Sequence, residues 1–229
     1  MTNHLLLIAI GKYKHWHTLD GPKRDADALR DVLFRKYGFS PERTIELRDA
    51  AATNENILKA FRQWKDASPD DQLLIYYAGH GHTDDFDKTG FWIPHDAESD
   101  AGQRVRWLPN ASIRGALAVL PFHHILLICD SCFSGDLLDV QRGVRINQHP
   151  PAKPDYIKNS LRKRSREVLT SGSSEPVSDA GLTGHSAFAF HLIDTLKTHP
   201  EPWIDAIRLY DHIRCGVSGQ QPLYGWLNT

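Results

Sequence analysis

Two short apolar runs limit what this chain can fold into: Leu73-Leu74-Ile75-Tyr76-Tyr77-Ala78 and Ile125-Leu126-Leu127-Ile128. Neither alternates apolar with polar residues. Each therefore reads as a strand buried on both faces, as in a parallel sheet covered by helices. Both runs break abruptly, the first into Gly79-His80-Gly81-His82 and the second into Cys129-Asp130-Ser131-Cys132-Phe133-Ser134-Gly135. Open α/β sheets place their chemistry at the carboxyl ends of strands. Cys132 is thus a candidate nucleophile and His80 a candidate base. The glycines flanking His80 let the backbone approach a substrate with no Cβ in the way.

The remaining pattern supports an α/β chain. Leu5 to Ile10 is a first buried strand, ending at Gly11. A helix from about Lys23 to Tyr37 carries Ala26, Leu29, Leu33 and Tyr37 on one stripe, with Gly38 as its stop. Thr44 to Arg48 is a short strand, and Thr53 caps a helix whose Ile57, Phe61 and Trp64 share a face. The acidic loop 84–87 leads to a hairpin-like Phe91-Trp92-Ile93-Pro94, and Pro109 to Leu120 forms the next helix. After the Cys132 run come a strand from Glu167 to Ser171 and a helix with Phe188, Leu192 and Leu196 on one face. Pro202 opens a last helix through Ile213, and Gln221 to Tyr224 forms a final edge strand. Alternating strands and helices imply right-handed crossovers in one sheet.

Composition excludes several classes. The chain has 229 residues, enough for one sizeable core, with 27 Lys plus Arg against 28 Asp plus Glu. No global charge argues for nucleic acid, and no run of 18 apolar residues argues for a membrane span. Three cysteines, two of them three positions apart, do not form a disulfide framework, which points to a reducing cytoplasm. Cys129-x-x-Cys132 with His80-x-His82 could be read as a metal site. Cys129 lies inside the apolar run, whereas structural zinc takes four ligands on an accessible knuckle. His82 and His95 read as solvated loop residues. Residues 141–165 hold seven Lys or Arg against one acid, and contain Pro150, Pro151 and Pro154. That stretch could contact phosphates, but it has only Tyr156 as an aromatic, and an accessible linker explains it equally well.

Tyr76-Tyr77-Ala78-Gly79-His80-Gly81 and Asp130-Ser131-Cys132-Phe133-Ser134-Gly135 resemble the His and Cys motifs of the caspase-like peptidases (peptidase C14 superfamily). They are closer to metacaspases and their bacterial relatives than to animal caspases. His80 precedes Cys132 by 52 residues, which matches the spacing of about 50 in that superfamily. The resemblance implies a caspase-like three-layer sandwich with about six mainly parallel strands. It also implies one peptidase domain over 1–229, with a large-fragment part to about 140, a cleavable linker at 141–165 and a small-fragment part from 166. The implied chemistry is a His80–Cys132 dyad without an obligatory carboxylate, with the N–H groups of Gly81 and Cys132 as oxyanion-hole donors. Asp130, two residues before Cys132, and Asp25 match the aspartates with which metacaspases select arginine or lysine before the scissile bond. Asp27 is a rival to Asp25, and the helix dipole alone would favour an acid in that first turn. No cofactor is implied except calcium, for which Asp84, Asp85, Asp87, Asp136 and Asp139 are the available carboxylates. The expected partners are protein substrates and a regulatory protein or ligand, in a cell-death or antiviral-type pathway. The alternative is a catalytically silent caspase-like scaffold, which usually comes with a lost His or Cys; both are present here.

Overall fold

The computed structural model describes residues 1–131, 137, 161–172 and 184–227. β1 (Asn3–Ala9) leads through a loop to α1 (Pro22–Lys36), then β2 (Thr44–Arg48), α2 (Asn54–Arg62) and β3 (Gln72–Ala78). Three short strands follow, β4 (Gly81–Thr83), β5 (Gly90–Trp92) and β6 (Leu108–Pro109), before α3 (Asn110–Ala118) and β7 (His124–Asp130). The described chain then has β8 (Ser165–Thr170), α4 (Ala187–Thr198), α5 (Ala206–Gly216) and β9 (Leu223–Trp226). The main sheet has six strands in the order β2-β1-β3-β7-β8-β9. All its pairs are parallel except β8 with β9, so β9 is an antiparallel edge strand.

Alternation of side chains along the strands divides the core in two. Leu5, Leu7, Ala9, Tyr76, Ala78, Ile128 and Leu169 face α1, α4 and α5. Leu6, Ile8, Ile75, Tyr77, Ile125, Leu127 and Cys129 face α2, α3 and the smaller sheet. The central strands are apolar on both faces because both faces are covered. Pro22 opens α1, where the missing N–H costs nothing, and Gly38 follows with φ +70. The Thr53 side chain accepts from the Asn56 N–H at the start of α2. Trp64 lies just past the end of α2 yet joins the same core.

Two local expectations are corrected. The stretch expected as a simple hairpin around Phe91 supplies β5, the middle strand of a second, antiparallel sheet in the order β4-β5-β6. Trp92 in β5 is 1% exposed and stacks on Tyr77 at 4.1 Å, which fixes this sheet against the main one. The last helix does not open at Pro202. Asp205 caps it by accepting from the Arg208 N–H, and a side-chain oxygen at the N-cap satisfies a helix donor where proline can only tolerate its loss.

At the amino-terminal end of the strands, β8 places Arg166 in the core, 5% exposed. Its guanidinium donates to the carbonyls of Leu117 (2.5 Å), Ala118 (3.2 Å), Leu120 (2.6 Å) and Phe122 (2.9 Å). It thereby closes the carboxyl end of α3, where orphan carbonyls and the helix dipole favour a cation. Burial, then the neighbouring Arg164, lower its pKa to about 10. Arg166→Met would leave buried carbonyls unpaired and should cost about 3 kcal/mol or more. In a chain of this size that lowers Tm by roughly 6 °C or more. A thermal melt within 2 °C of wild type would refute this role for Arg166.

Candidate active site

The strands expected to carry the chemistry are neighbours and end together. β3 and β7 pair in parallel with Ala78 opposite Asp130, the last rung of that ladder. The Gly79 N–H reaches the Asp130 carbonyl at 3.4 Å, tying the two departing turns to each other. His80 follows this rung by two residues, as does Cys132 in the sequence. Cys132 itself lies outside the described residues, as do Asp136, Asp139 and residues 141–160 of the basic linker.

The His80 peptide is held by two phenols. Tyr13 Oη accepts from the His80 N–H at 2.7 Å, and Tyr77 Oη donates to the His80 carbonyl at 2.6 Å. Gly79 is required by this arrangement: a Cβ there would stand 2.5 Å from Tyr13 Oη. The His80 ring is 8% exposed and packed beside the rings of Tyr13, His17 and Trp16. Its Nε2 lies 2.9 Å from the backbone carbonyl of His17. A carbonyl can only accept, so this contact places the proton on Nε2 and leaves Nδ1 as the basic nitrogen of the neutral ring. Burial lowers the His80 pKa, the His17 carbonyl partly opposes this, and the His17 ring adds a smaller depression. His80 is therefore a neutral imidazole at pH 7, oriented by a backbone group where a catalytic triad would have a carboxylate.

Asp130 shares a face with Ile128, so its side chain leaves β7 toward α1 and α4. There it meets Asp25, which Pro22 and the first turn of α1 direct inward. Both acids are buried, Asp25 at 1% and Asp130 at 6% exposure. One residue joins them, the α4 N-cap Ser186. Its N–H donates to Asp25 Oδ2 (3.3 Å), its hydroxyl donates to Asp130 Oδ2 (2.5 Å), and its oxygen accepts from the Ala189 N–H (2.9 Å). His185 Nδ1 contacts Asp25 Oδ1 at 2.5 Å. Burial raises the Asp25 pKa, and His185 and Ser186 oppose that rise. Burial, then the charges on Asp130 and Asp25, push the nearby Tyr76 phenol well above its ordinary value. Asp27 points elsewhere, pairing with Arg30 and Arg48.

Gly81 begins β4 opposite Trp92. The bond from the Ile93 N–H to the His80 carbonyl marks Gly81–Trp92 as a non-hydrogen-bonded pair, so the Gly81 N–H turns away from β5. His82 is not a loop residue, as expected from sequence, but sits in β4, 4.8 Å edge-on to Trp107. His95 Nδ1 contacts the Lys12 carbonyl at 2.6 Å, tying it to the loop after β1. Cys129 is fully buried in the core, as its place in the apolar run implies. Asp84 is committed to its own turn. It accepts from the N–H groups of Phe86 and Asp87 and pairs with Arg104. Among the described residues no group of three or more His, Cys, Asp or Glu could hold a metal, and no helix is long and apolar enough to cross a membrane.

Sequence reasoning missed His17, His185 and Ser186. His17 acts through its backbone carbonyl, which has no sequence signature. Ser186 had a local signal, a serine just ahead of an apolar helix, but nothing in the sequence connects it to carboxylates 56 and 161 residues away.

Comparison with known proteins identifies the family and the fold. Among curated relatives, Metacaspase-1 of Kluyveromyces lactis is 29% identical over 155 residues, covering 59% of this chain and 34% of that protein. Metacaspase-1B of Aspergillus fumigatus is 30% identical over 155 residues, covering 59% and 36%. The chain thus spans about a third of the length of these relatives. Caspase-1 from Spodoptera frugiperda shares the fold, with a TM-score of 0.66 over 98% of this chain and 86% of that one, at 15% identity. A Geobacter sulfurreducens protein does so equally, with a TM-score of 0.66, coverage of 98% and 92%, and 17% identity. The sequence profile of the Caspase domain, peptidase family C14, matches residues 2–224. With that profile spanning nearly all of its length, the chain belongs to the caspase-domain family of cysteine peptidases.

Proposed function

We propose that this chain is a cysteine endopeptidase that uses His80 and Cys132 to cleave protein substrates after arginine or lysine. The shared last rung of β3 and β7 carries this reading, because His80 and Cys132 each follow it by two residues. In the proposed reaction His80 Nδ1 takes the Cys132 thiol proton and the thiolate attacks the scissile carbonyl. The imidazolium then protonates the departing amine, and water hydrolyses the thioester. The N–H groups of Gly81 and Cys132 receive the oxyanion; in other acyl-transfer enzymes one such donor lowers the barrier by about 3 kcal/mol. Asp25 and Asp130 receive the basic side chain before the scissile bond, since paired carboxylates attract a guanidinium and repel an acid. From the cysteine usage we place the activity in a reducing cytoplasm, and by the resemblance in regulated proteolysis of the cell-death or antiviral kind, with self-cleavage at 141–165.

Cys132→Ala and His80→Ala should each lower peptide hydrolysis by about a thousandfold or more, because nucleophile and base act as a unit. Cys132→Ala should also abolish self-cleavage, whereas Cys129→Ala should keep activity. A folded Cys132→Ala protein that still turns over peptide would refute the mechanism.

Specificity is read with fluorogenic peptides differing only at the residue before the scissile bond. Turnover should rank arginine above lysine, because the planar fork can bind a carboxylate bidentately, with aspartate not cut. Asp130→Ala should reduce kcat/KM for the arginine peptide at least tenfold, roughly 1.4 kcal/mol of transition-state binding. Preference for the aspartate peptide would overturn the assignment.

The burial of His80 gives a pH prediction. Its folded pKa lies below 6.5, so the base form dominates at pH 7 and the ring protonates only as the pH falls further. An NMR titration of the His80 ring in Cys132→Ala should show a midpoint below 6.5, and one above 7 would contradict the environment described.

A further inference from the structure

Asp25 is 1% exposed, and both of its oxygens are occupied within the protein. Ser186 N–H donates to Oδ2 and His185 Nδ1 sits on Oδ1. The two differ in how readily they can leave. Ser186 is fixed by three bonds, to Asp25, Asp130 and the amino end of α4, and is 5% exposed. The His185 side chain is 19% exposed, and the described structure gives its ring one polar contact, Asp25. It also borders an open surface depression of about 550 Å³ shared with Asp20, Lys23, Arg24, Asp27 and Asp31. Its backbone neighbour Gly184 has φ +78, and a Cβ there would run into the Arg24 guanidinium, so α1 closely covers this turn. The charged and titratable groups around the ring are therefore Asp25 and Arg24 from α1, Asp20, Lys23, Asp27 and Asp31 along the depression, and Asp130 and Tyr76 behind Ser186.

We propose that His185 is a specificity-determining residue of the basic-residue pocket: it occupies the Asp25 carboxylate in place of a substrate cation and is exchanged for the arginine or lysine side chain on binding. The proposal rests on the reading of Asp25 and Asp130 as that pocket. A carboxylate this buried requires a donor or cation at all times. Until the substrate arrives, the imidazole meets that need. Exchange keeps a donor on the carboxylate: the incoming guanidinium takes Oδ1 while the imidazole swings into the open depression and water. Ser186 stays in place and holds the two carboxylates toward the same cation. The apparent affinity is then the intrinsic affinity reduced by the fraction of molecules in which His185 has left. An apolar or acidic side chain offers Asp25 no donor and cannot displace the ring, so the exchange sharpens selection as well as weakening binding.

The test uses the full chain with His185→Gln, His185→Ala and His185→Lys, assayed on the arginine peptide. The glutamine keeps an uncharged donor of similar reach, so it serves if the alanine variant fails to fold. His185→Gln and His185→Ala should lower KM at least about threefold with kcat nearly unchanged. His185→Lys, a permanent cation on a long stem, should raise KM about tenfold or more. Binding of the same peptide to each variant in the Cys132→Ala background, followed by fluorescence anisotropy, should move in the same two directions. A merely structural pair would shift KM upward in every variant or leave it unchanged, and either result overturns the proposal. The two failures are separable. If Asp130→Ala retains full turnover of the arginine peptide, the pocket assignment fails and this inference with it. If Asp130→Ala loses tenfold while the His185 variants leave KM at its wild-type value, only the exchange is wrong.

Discussion

Backbone groups in a sheet covered on both faces must pair along its whole length, so the chain can leave only where two strands stop together. For β3 and β7 that place is the Ala78–Asp130 rung. Everything distinctive about the site follows from it. The Gly79 N–H binds across to the Asp130 carbonyl, and His80 follows the rung by two residues. The opposite end of the same strands is devoted to stability, with Arg166 filling the carboxyl end of α3 by four bonds to carbonyls. Chemistry and anchoring are thus separated by the length of a strand.

Side-chain alternation then separates the site into two halves. Cys129 faces the α2 and α3 side, Asp130 the α1 and α4 side. On one side His80 sits among Tyr13, Trp16 and His17, and burial keeps its ring neutral. On the other, two carboxylates lie out of water, a costly placement without donors. Ser186 supplies two of those donors from one residue, and α4 begins at that point, so the positive end of the helix dipole also lies against the acids. His80 and the two carboxylates thus belong to opposite faces of the sheet.

The sequence was informative where a property is local. Continuous apolar runs specify buried strands, a serine or threonine ahead of an amphipathic stretch specifies a helix start, and Gly-His-Gly announces a turn with room for a substrate. The buried strands and the helix starts were legible on those grounds, as was Cys129 as a core residue, whereas the count of six strands and the pairing of Asp25 with Asp130 came from the family resemblance. The misjudged pieces are those decided by competition between neighbouring signals. Pro202 and Asp205 both suit the start of a helix, and the Asp205 side chain gained the hydrogen bond. The Phe91 stretch looked like an isolated hairpin because β6, its second neighbour, is two residues long and contains Pro109.

By itself the sequence determined which residue types stand at the strand ends, and hence the class of chemistry the chain is equipped for. Tertiary structure alone decided how those residues are held. The His17 carbonyl that orients His80 is a backbone group, identical in every residue, and only the path of the loop after β1 brings it within 2.9 Å. Asp25, Asp130, His185 and Ser186 come from three separate stretches of chain, and no periodicity links them. They meet because two buried carboxylates must find donors, and the packing of α1 and α4 on one face of the sheet brings the donors and both acids to one point.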